Sequence, residues 1–447
     1  MTSRDLLKAI DAFLFSPYSP YPLAIFRILL GLLMLDMVLF HLLDDFYLYY
    51  GPNAILPVSA LAKNWWRFDP VLDAMVLLPP GAPVTVNFFV AFCLVCVFVV
   101  AGLFTVYTVP LSFLMLLSIQ RQFPYNINGG DAMMLLALFL LSFGRSGDAL
   151  SIDNLIKSLR QDWRKTGFHP PPSPAWPVRM LQLQLTLAYF DTFLWKFTGT
   201  KWLDGSAVYW ATRMHEFIRY PLPSFLDNPF CLRILTWTTL IIEFSLWTLI
   251  WFRETRYIVI AAGLCLHFGI DCFINLPVFE WVFMSMLVLF IYPEDLSKSA
   301  AWLRKKIAHR FGAPRMLTFD GHCLLCVRAT GVMHRLDVFR RVEFVDFTDE
   351  KNHLRLSTFD FQRAQAEMLL STGNGWTGGF LAFRKIALRL PLFWPLVPFL
   401  YLPGVTLYGD YIYGLIARNR YLLFGRCDDG ACLLHCGVSE NNKKKGD

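Results

Sequence analysis

Apolar runs long enough to cross a bilayer decide what this chain can fold into. A helix needs about 20 apolar residues to traverse ~30 Å of hydrocarbon, and runs at or near that length recur at 22–43, 85–105, 107–121, 130–144, 177–198, 232–252, 257–276 and 278–293. Only 17% of the 447 residues are charged, against about a quarter in soluble domains, which excludes a soluble chain, a disordered one, collagen and a coiled coil. The expected fold is mainly α: a polytopic bundle of about eight spans. The stretch 71–80, VLDAMVLLPP, reads as a re-entrant or interfacial piece.

The net charge of +7 would suggest nucleic acid in a soluble protein. Here Lys and Arg sit mostly between the apolar runs, so the lipid bilayer is the expected partner and nucleic acid is not. Arg4, Lys8, Arg145, Lys157, Arg160, Arg164, Lys165, Arg253, Arg256, Lys298, Arg304, Lys305, Lys306 and Arg310 fall on one side; Lys63, Arg67, Arg121, Lys201, Arg213 and Arg219 fall on the other. The richer side is cytoplasmic by the positive-inside rule, which places both termini there. The opening residues lack the short apolar core and small-residue cleavage site of a signal peptide, and a bacterial inner membrane is the expected setting.

Composition changes after Pro293. KSAAWLRKKIAHRFGAPR is basic and carries a Trp, as suits a segment lying on an anionic surface. Beyond it MLTF and RVEFVDF read as strands, and Leu325, Ala329, Val332, Met333 and Leu336 form one helix face between them. The expected organisation is a membrane module at 1–295, an interfacial linker at 296–315, a small α/β domain at 316–436 and a disordered tail at 437–447. LPLFWPLVPFLYLPG is apolar but broken by prolines and reads as interfacial.

Asp320-Gly321-His322-Cys323-Leu324-Leu325-Cys326 places a CxxC between a strand and a helix. Exposed N–H groups and the helix dipole stabilise a thiolate on the first cysteine there, and the second, one turn deeper, can resolve a mixed disulfide. The alternative is half of a metal site completed by Cys427, Cys432, Cys436 and His435, a spacing that matches no common zinc knuckle. Those three cysteines otherwise serve as a relay to Cys323 and Cys326 or as structural pairs. Cys93 and Cys96 also spell CxxC, but inside an apolar run, where cysteine packs as a small hydrophobe.

FDGHCLLC, followed about a hundred residues later by YIYGLIARNRYLLFG, resembles the DCC family of thiol-disulfide oxidoreductase-like proteins over 316–427. The resemblance implies a thioredoxin-like core with Cys323 and Cys326 as the redox pair and Asp320 and His322 beside them. A thiol-containing protein or a small thiol is then the expected partner.

Ionisable groups inside spans are functional hypotheses because hydrocarbon makes them costly. This chain has Arg27, Asp36, Asp131, Asp191, Lys196, Glu243, His267, Asp271 and Glu280 within or at the ends of spans. His267 and Asp271 share a helix face, whereas Asp191 and Lys196 are five apart and poorly aligned. For each, an internal ion pair or hydrogen bond that fixes packing is the competing reading. A Lys in hydrocarbon is costly to keep protonated, which is what would make Lys196 a usable base.

LAIFRILLGLLMLD, NINGGDAMMLLALFLLSFG and LQLQLTLAYFDTFLWKFTGTKWLDG together resemble the horizontally transferred transmembrane domain over roughly 18–293, a module related to vitamin K-dependent gamma-carboxylase. Counted from Tyr189-Phe190, the resemblance puts on Lys196 the base that deprotonates the hydroquinone, and it puts Asn126 and Asn128 near a polar active-site loop. The carboxylase's large extracytoplasmic region has no counterpart here. Three readings follow: a membrane thiol oxidoreductase whose bundle binds a quinone, a carboxylase-like quinol enzyme centred on Lys196, and a scaffold or transport protein with a metal-binding CxxC.

Overall fold

The computed structural model describes residues 2–43, 46–50, 54–55, 75, 82–122, 127–159, 164, 170–356, 359–372 and 375–425. Asn126, Lys63, Arg67, Arg160, Lys165, most of 71–80, the cysteines at 427, 432 and 436, His435 and the tail at 437–447 lie outside them. The chain divides into two compact units, Met1–Asn154 with Pro170–Pro293, and Leu155–His169 with Glu294–Asp447. The break at 293/294 falls where composition changes. Segment 155–169, expected inside the membrane module, belongs instead to the second unit; Arg164, described below, is the residue that ties it there.

The first unit is helical: α1 Ser3–Phe15, α2 Tyr21–Asp36 with a π-helical extension to Leu42, α3 Ala82–Ala101, α4 Thr105–Gln122, α5 Gly129–Ser142, α6 Trp176–Thr198, α7 Pro229–Trp247, α8 Arg256–Phe273 and α9 Phe279–Met286. Two short strands, β1 Pro17–Tyr18 and β2 Ser173–Pro174, pair antiparallel. Each of the eight expected segments is helical. Among the described residues, four helices are long and apolar enough to span: Tyr21–Leu42, Val84–Ala101, Pro229–Trp247 and Arg256–Phe273. The other four fall short for local reasons. α5 and the Phe279–Phe290 segment are too short; α4 ends in Gln120, Arg121 and Gln122, and α6 carries Arg179, Gln182, Gln184, Asp191 and Lys196.

Lipid tails are as apolar as leucine, so small residues and polar contacts must hold such helices together. Gly31 of α2 does so by close approach: a Cβ there would meet Val100 Cγ2 of α3 at 2.7 Å. Arg27, fully buried, donates to the carbonyls of Ser146 and Leu150 and pins the turn after α5. Asp153 accepts from the N–H groups of Phe104 and Thr105 at 2.7 and 2.8 Å and so caps α4. Phe26, Phe92, Leu116, Met134 and Phe290 fill the interior, Cys96 packs among them as expected, and Leu32, Phe40, Val90 and Leu94 face outward.

The second unit begins with α10 Pro293–Phe311 and holds a four-stranded mixed sheet. β3 Arg315–Phe319 runs parallel to β4 Val342–Asp346 and antiparallel to β5 Leu369–Thr372, which pairs antiparallel with β6 Gly375–Gly378. The strand order is therefore β4-β3-β5-β6. α11 Leu324–Leu336 connects the parallel pair, α12 Phe361–Ala366 precedes β5, and α13 Gly379–Ala387 follows β6. Leu317, Met333, Val342, Leu370 and Ile386 form one core beneath the sheet. The Pro-rich stretch expected to lie at the interface folds as short turns of helix over Pro391–Leu400, and it meets α14 Val405–Phe424 at a bend of 114°. Together these two form a bent apolar pair rather than a straight span.

Candidate functional site

The thiol pair sits where the chain leaves β3. After Phe319 it turns through Asp320, Gly321 and His322 into α11, whose N-cap is Cys323. Cys323 Sγ accepts the backbone N–H of Cys326 at 3.3 Å. The hydrogen bond from the Cys326 side chain is the largest influence on the Cys323 thiol; with that N–H and the Arg420 guanidinium it outweighs burial and Asp320 and brings the thiol down to about 7. The same contact, with burial, pushes Cys326 far up. One sulfur is thus prepared to ionise and its neighbour to hold its proton, a division of labour that suits a nucleophile and a resolving thiol.

Two carboxylates hold the turn. Asp320 accepts from the N–H of His322 at 2.9 Å, from Arg420 Nη2 at 3.2 Å and from the hydroxyl of Tyr421. Arg420, itself buried, also donates to the Gln365 carbonyl at 2.6 Å. Asp346, opposite Phe319 in the parallel register, accepts the Gly321 N–H at 3.1 Å, and Arg164 bridges the Gly321 carbonyl and Asp346 at 3.2 and 3.0 Å. Gly321 must be glycine, because a Cβ would lie 1.8 Å from Asp346 Oδ2. Neither thiol reaches the surface: Cys323 is 0% and Cys326 7% exposed, packed with Phe319, Val327, Leu325, Phe344 and Tyr421. His322 is exposed beside them and contributes its backbone N–H.

Asp320, His322, Cys323 and Cys326 are thus together, as expected. Arg420, Tyr421, Asp346 and Arg164 were not foreseen. A signal existed for two of them: Arg420 and Tyr421 lie in the YIYGLIARNRYLLFG stretch, and a buried aspartate at a strand end requires a cationic partner. Nothing in the local pattern points to Arg164.

In the first unit, buried polar side chains of α6, α7, α8 and α9 form a second group. Lys196 of α6 is ion-paired with Glu243 of α7. Tyr189, two turns earlier, meets His267 Nε2 of α8 at 2.5 Å, and His267 Nδ1 meets Glu280 of α9. If the carboxylate is ionised, Nδ1 carries the proton shared with Glu280 and Nε2 accepts from the tyrosine hydroxyl. Among the described residues, one oxygen each of Glu243, Glu280 and Asp271 is buried without a hydrogen-bond partner.

His267 and Asp271 share a face; Asp271 pairs with Arg219 at 3.3 Å, while His267 is held by Tyr189 and Glu280. Asp191 is exposed on α6 and takes no part in the group. Lys196 does not stand alone as a free amine, since Glu243 from the neighbouring helix reaches it. Asn128 is a helix cap: its side chain accepts from Gly130 and Asp131 N–H at 2.7 and 3.1 Å, and Asp131 returns the bond to its backbone.

A family model described as the HTTM domain matches residues 15–294. The chain belongs to the HTTM domain family. The match runs from the end of α1 through α9 and so contains the Lys196 and His267 group of this HTTM chain. A second model, a DCC1-like thiol-disulfide oxidoreductase, matches residues 317–426 and contains both thiols and Arg420. Comparison with curated proteins and with solved structures returned no match. An HTTM domain joined to a DCC1-like domain makes this a membrane protein of thiol redox type.

Proposed function

We propose that this HTTM chain is an integral membrane thiol-disulfide oxidoreductase in which Cys323 is the nucleophile and Cys326 the resolving thiol. The Cys323 thiolate attacks a disulfide of a partner protein or small thiol, forming a mixed disulfide and releasing one partner thiolate. Cys326 then loses its proton and attacks Cys323 Sγ. The second partner thiolate leaves and the Cys323–Cys326 disulfide closes. The partner gains two electrons and two protons, and a thiol reductant running the same steps backward restores the pair. The observation that carries this is the placement of two adjacent thiols at a helix start, with Cys323 as the N-cap and its Sγ accepting the Cys326 N–H at 3.3 Å, an arrangement that lowers the first thiol and raises the second. Strand order β4-β3-β5-β6 with α11 between the parallel strands supports a thioredoxin-like core. Since the thiols are covered, access requires the side chains packed on them to move.

The test is trapping. Cys326→Ser should accumulate a mixed disulfide on Cys323, visible as a reducible adduct by mass spectrometry, and Cys323→Ser should not. Equal adducts in both variants would overturn the assignment.

In the membrane unit the proposal is a bundle of eight helices, both termini cytoplasmic, that holds a hydroquinone or similar apolar redox molecule beside Lys196. The buried carboxylate oxygens of Glu243 and Glu280 that lack partners fit it as acceptors for hydroxyl groups. Such a molecule, when bound, supplies two electrons and two protons. Lys196 would hold the deprotonated oxygen as an ammonium, with Glu243 keeping the amine in position, and Tyr189, His267 and Glu280 form a line along which a proton can pass. The alternative, carboxylase-like chemistry with Lys196 as base, requires the amine to surrender its proton to Glu243 first. Lys196→Met should abolish quinone-dependent oxygen uptake under either version; uptake that survives removes Lys196 from both.

A further inference from the structure

A cavity of about 260 Å³ in the first unit lies where helix ends meet, lined by Phe13, Tyr18, Arg179, Trp251, Arg256 and Tyr292 among others. Arg179 is in the first turn of α6, Arg256 is the first residue of α8, Trp251 ends the short helical turn Leu249–Trp251 after α7, and Tyr292 follows α9. Among the described residues, no carboxylate lines it and neither arginine has an acidic partner. The two guanidiniums are close enough to repel each other, and Arg256 is only 8% exposed.

Their protein contacts leave donors to spare. Arg256 donates through Nε and Nη2 to the carbonyls of Ile250 and Trp251 at 2.9 and 2.8 Å; Arg179 donates through Nε and Nη1 to the Phe13 carbonyl and to Gln182 at 3.3 and 2.9 Å. Among the described residues, Nη1 of Arg256 and Nη2 of Arg179 have no hydrogen-bond acceptor. The carbonyl contacts fix both side chains, and ring faces of Phe13 and Tyr292 lie 4.7 and 4.1 Å from their guanidinium carbons. An anion at the cavity would offset the repulsion between two fixed, like-charged groups, and a planar guanidinium matches a phosphate.

We infer that this cavity binds a phosphate group, and that its aromatic wall at a bundle end suits the phosphate of an anionic phospholipid.

The full chain in detergent would be examined by native mass spectrometry with dioleoylphosphatidylglycerol, dioleoylphosphatidylcholine and inorganic phosphate. Wild type should retain one phosphatidylglycerol under activation that strips phosphatidylcholine. Arg179→Gln and Arg256→Gln should weaken that retention at least tenfold, and Arg179→Lys by less. Phosphatidylglycerol should also raise the melting temperature of wild type more than phosphatidylcholine does, a readout that does not depend on a variant folding. If inorganic phosphate displaces the lipid and raises the melting temperature of wild type but not of Arg179→Gln, the site takes free phosphate. Equal retention of both lipids, or a preference that no arginine variant changes, overturns the inference, as does a wild-type melting temperature indifferent to both phosphatidylglycerol and phosphate.

Discussion

Replacing Cys326 by alanine removes the largest of the influences that hold the Cys323 thiol at about 7 instead of its ordinary 9.0. Were the whole displacement lost, the thiolate fraction at pH 7 would fall from about one half to about 1%, roughly 50-fold. Intrinsic nucleophilicity rises with basicity with a slope of about 0.4–0.5, which over two units returns about 6- to 10-fold. The net expectation at pH 7 is therefore alkylation slowed by about 5- to 8-fold, and at pH 10 alkylation faster than wild type by a similar factor. The two pH–rate profiles should cross near pH 8 (about one unit above the wild-type midpoint). These are upper limits, because the Cys326 N–H and Arg420 remain in the variant. The assay is iodoacetamide alkylation of the Cys323 peptide read by mass spectrometry, with Cys323→Ser as background. Cys323 is covered in both proteins, so the opening step cancels from the ratio. A variant profile that superimposes on wild type, or moves to lower pH, refutes the reasoning.

Further outcomes follow from the same geometry. Gly321→Ala should destabilise the second unit by about 1–3 kcal/mol through overpacking against Asp346, and hydrogen exchange at residue 321 should accelerate because its N–H loses that acceptor. Lys196→Met should cost about 3 kcal/mol by leaving the Glu243 carboxylate buried and unpaired, the low end because 26% of the Lys196 side chain is exposed. Lys196→Met with Glu243→Met should recover most of it in a thermal double-mutant cycle. His334 is brought down to about 4 by burial first and then by Arg340 and Arg335. The fold therefore prefers the neutral ring, the unfolded chain takes up the proton first, and stability present above about pH 6.5 is lost as pH falls toward 4. Melting temperatures across that window should fall less in His334→Asn than in wild type.

Much of the fold was legible because hydrophobic period and run length are local. All eight apolar runs are helices, and the strand, helix, strand order around FDGHCLLC is visible in residue pattern alone. Span number was less legible, since α6 is long but interrupted by Gln182, Gln184 and Asp191, and α5 is helical but short. Pairing was the least legible. Lys196 and Glu243 are 47 residues apart and Asp320 and Arg420 are 100 apart, distances at which no helical or strand period links positions. His267 and Asp271 show how little a shared face settles: it sets proximity, but Glu280, Tyr189 and Arg219 supply the partners.

The account stands most directly on whether Cys323 and Cys326 exchange between dithiol and disulfide. Full-length protein would be equilibrated in glutathione buffers of graded ratio, quenched with acid, and mapped for the 323–326 disulfide by mass spectrometry. The prediction is a two-electron transition with a midpoint between about −270 and −120 mV, the span of catalytic dithiols. A pair that stays fully reduced across that whole range would contradict it.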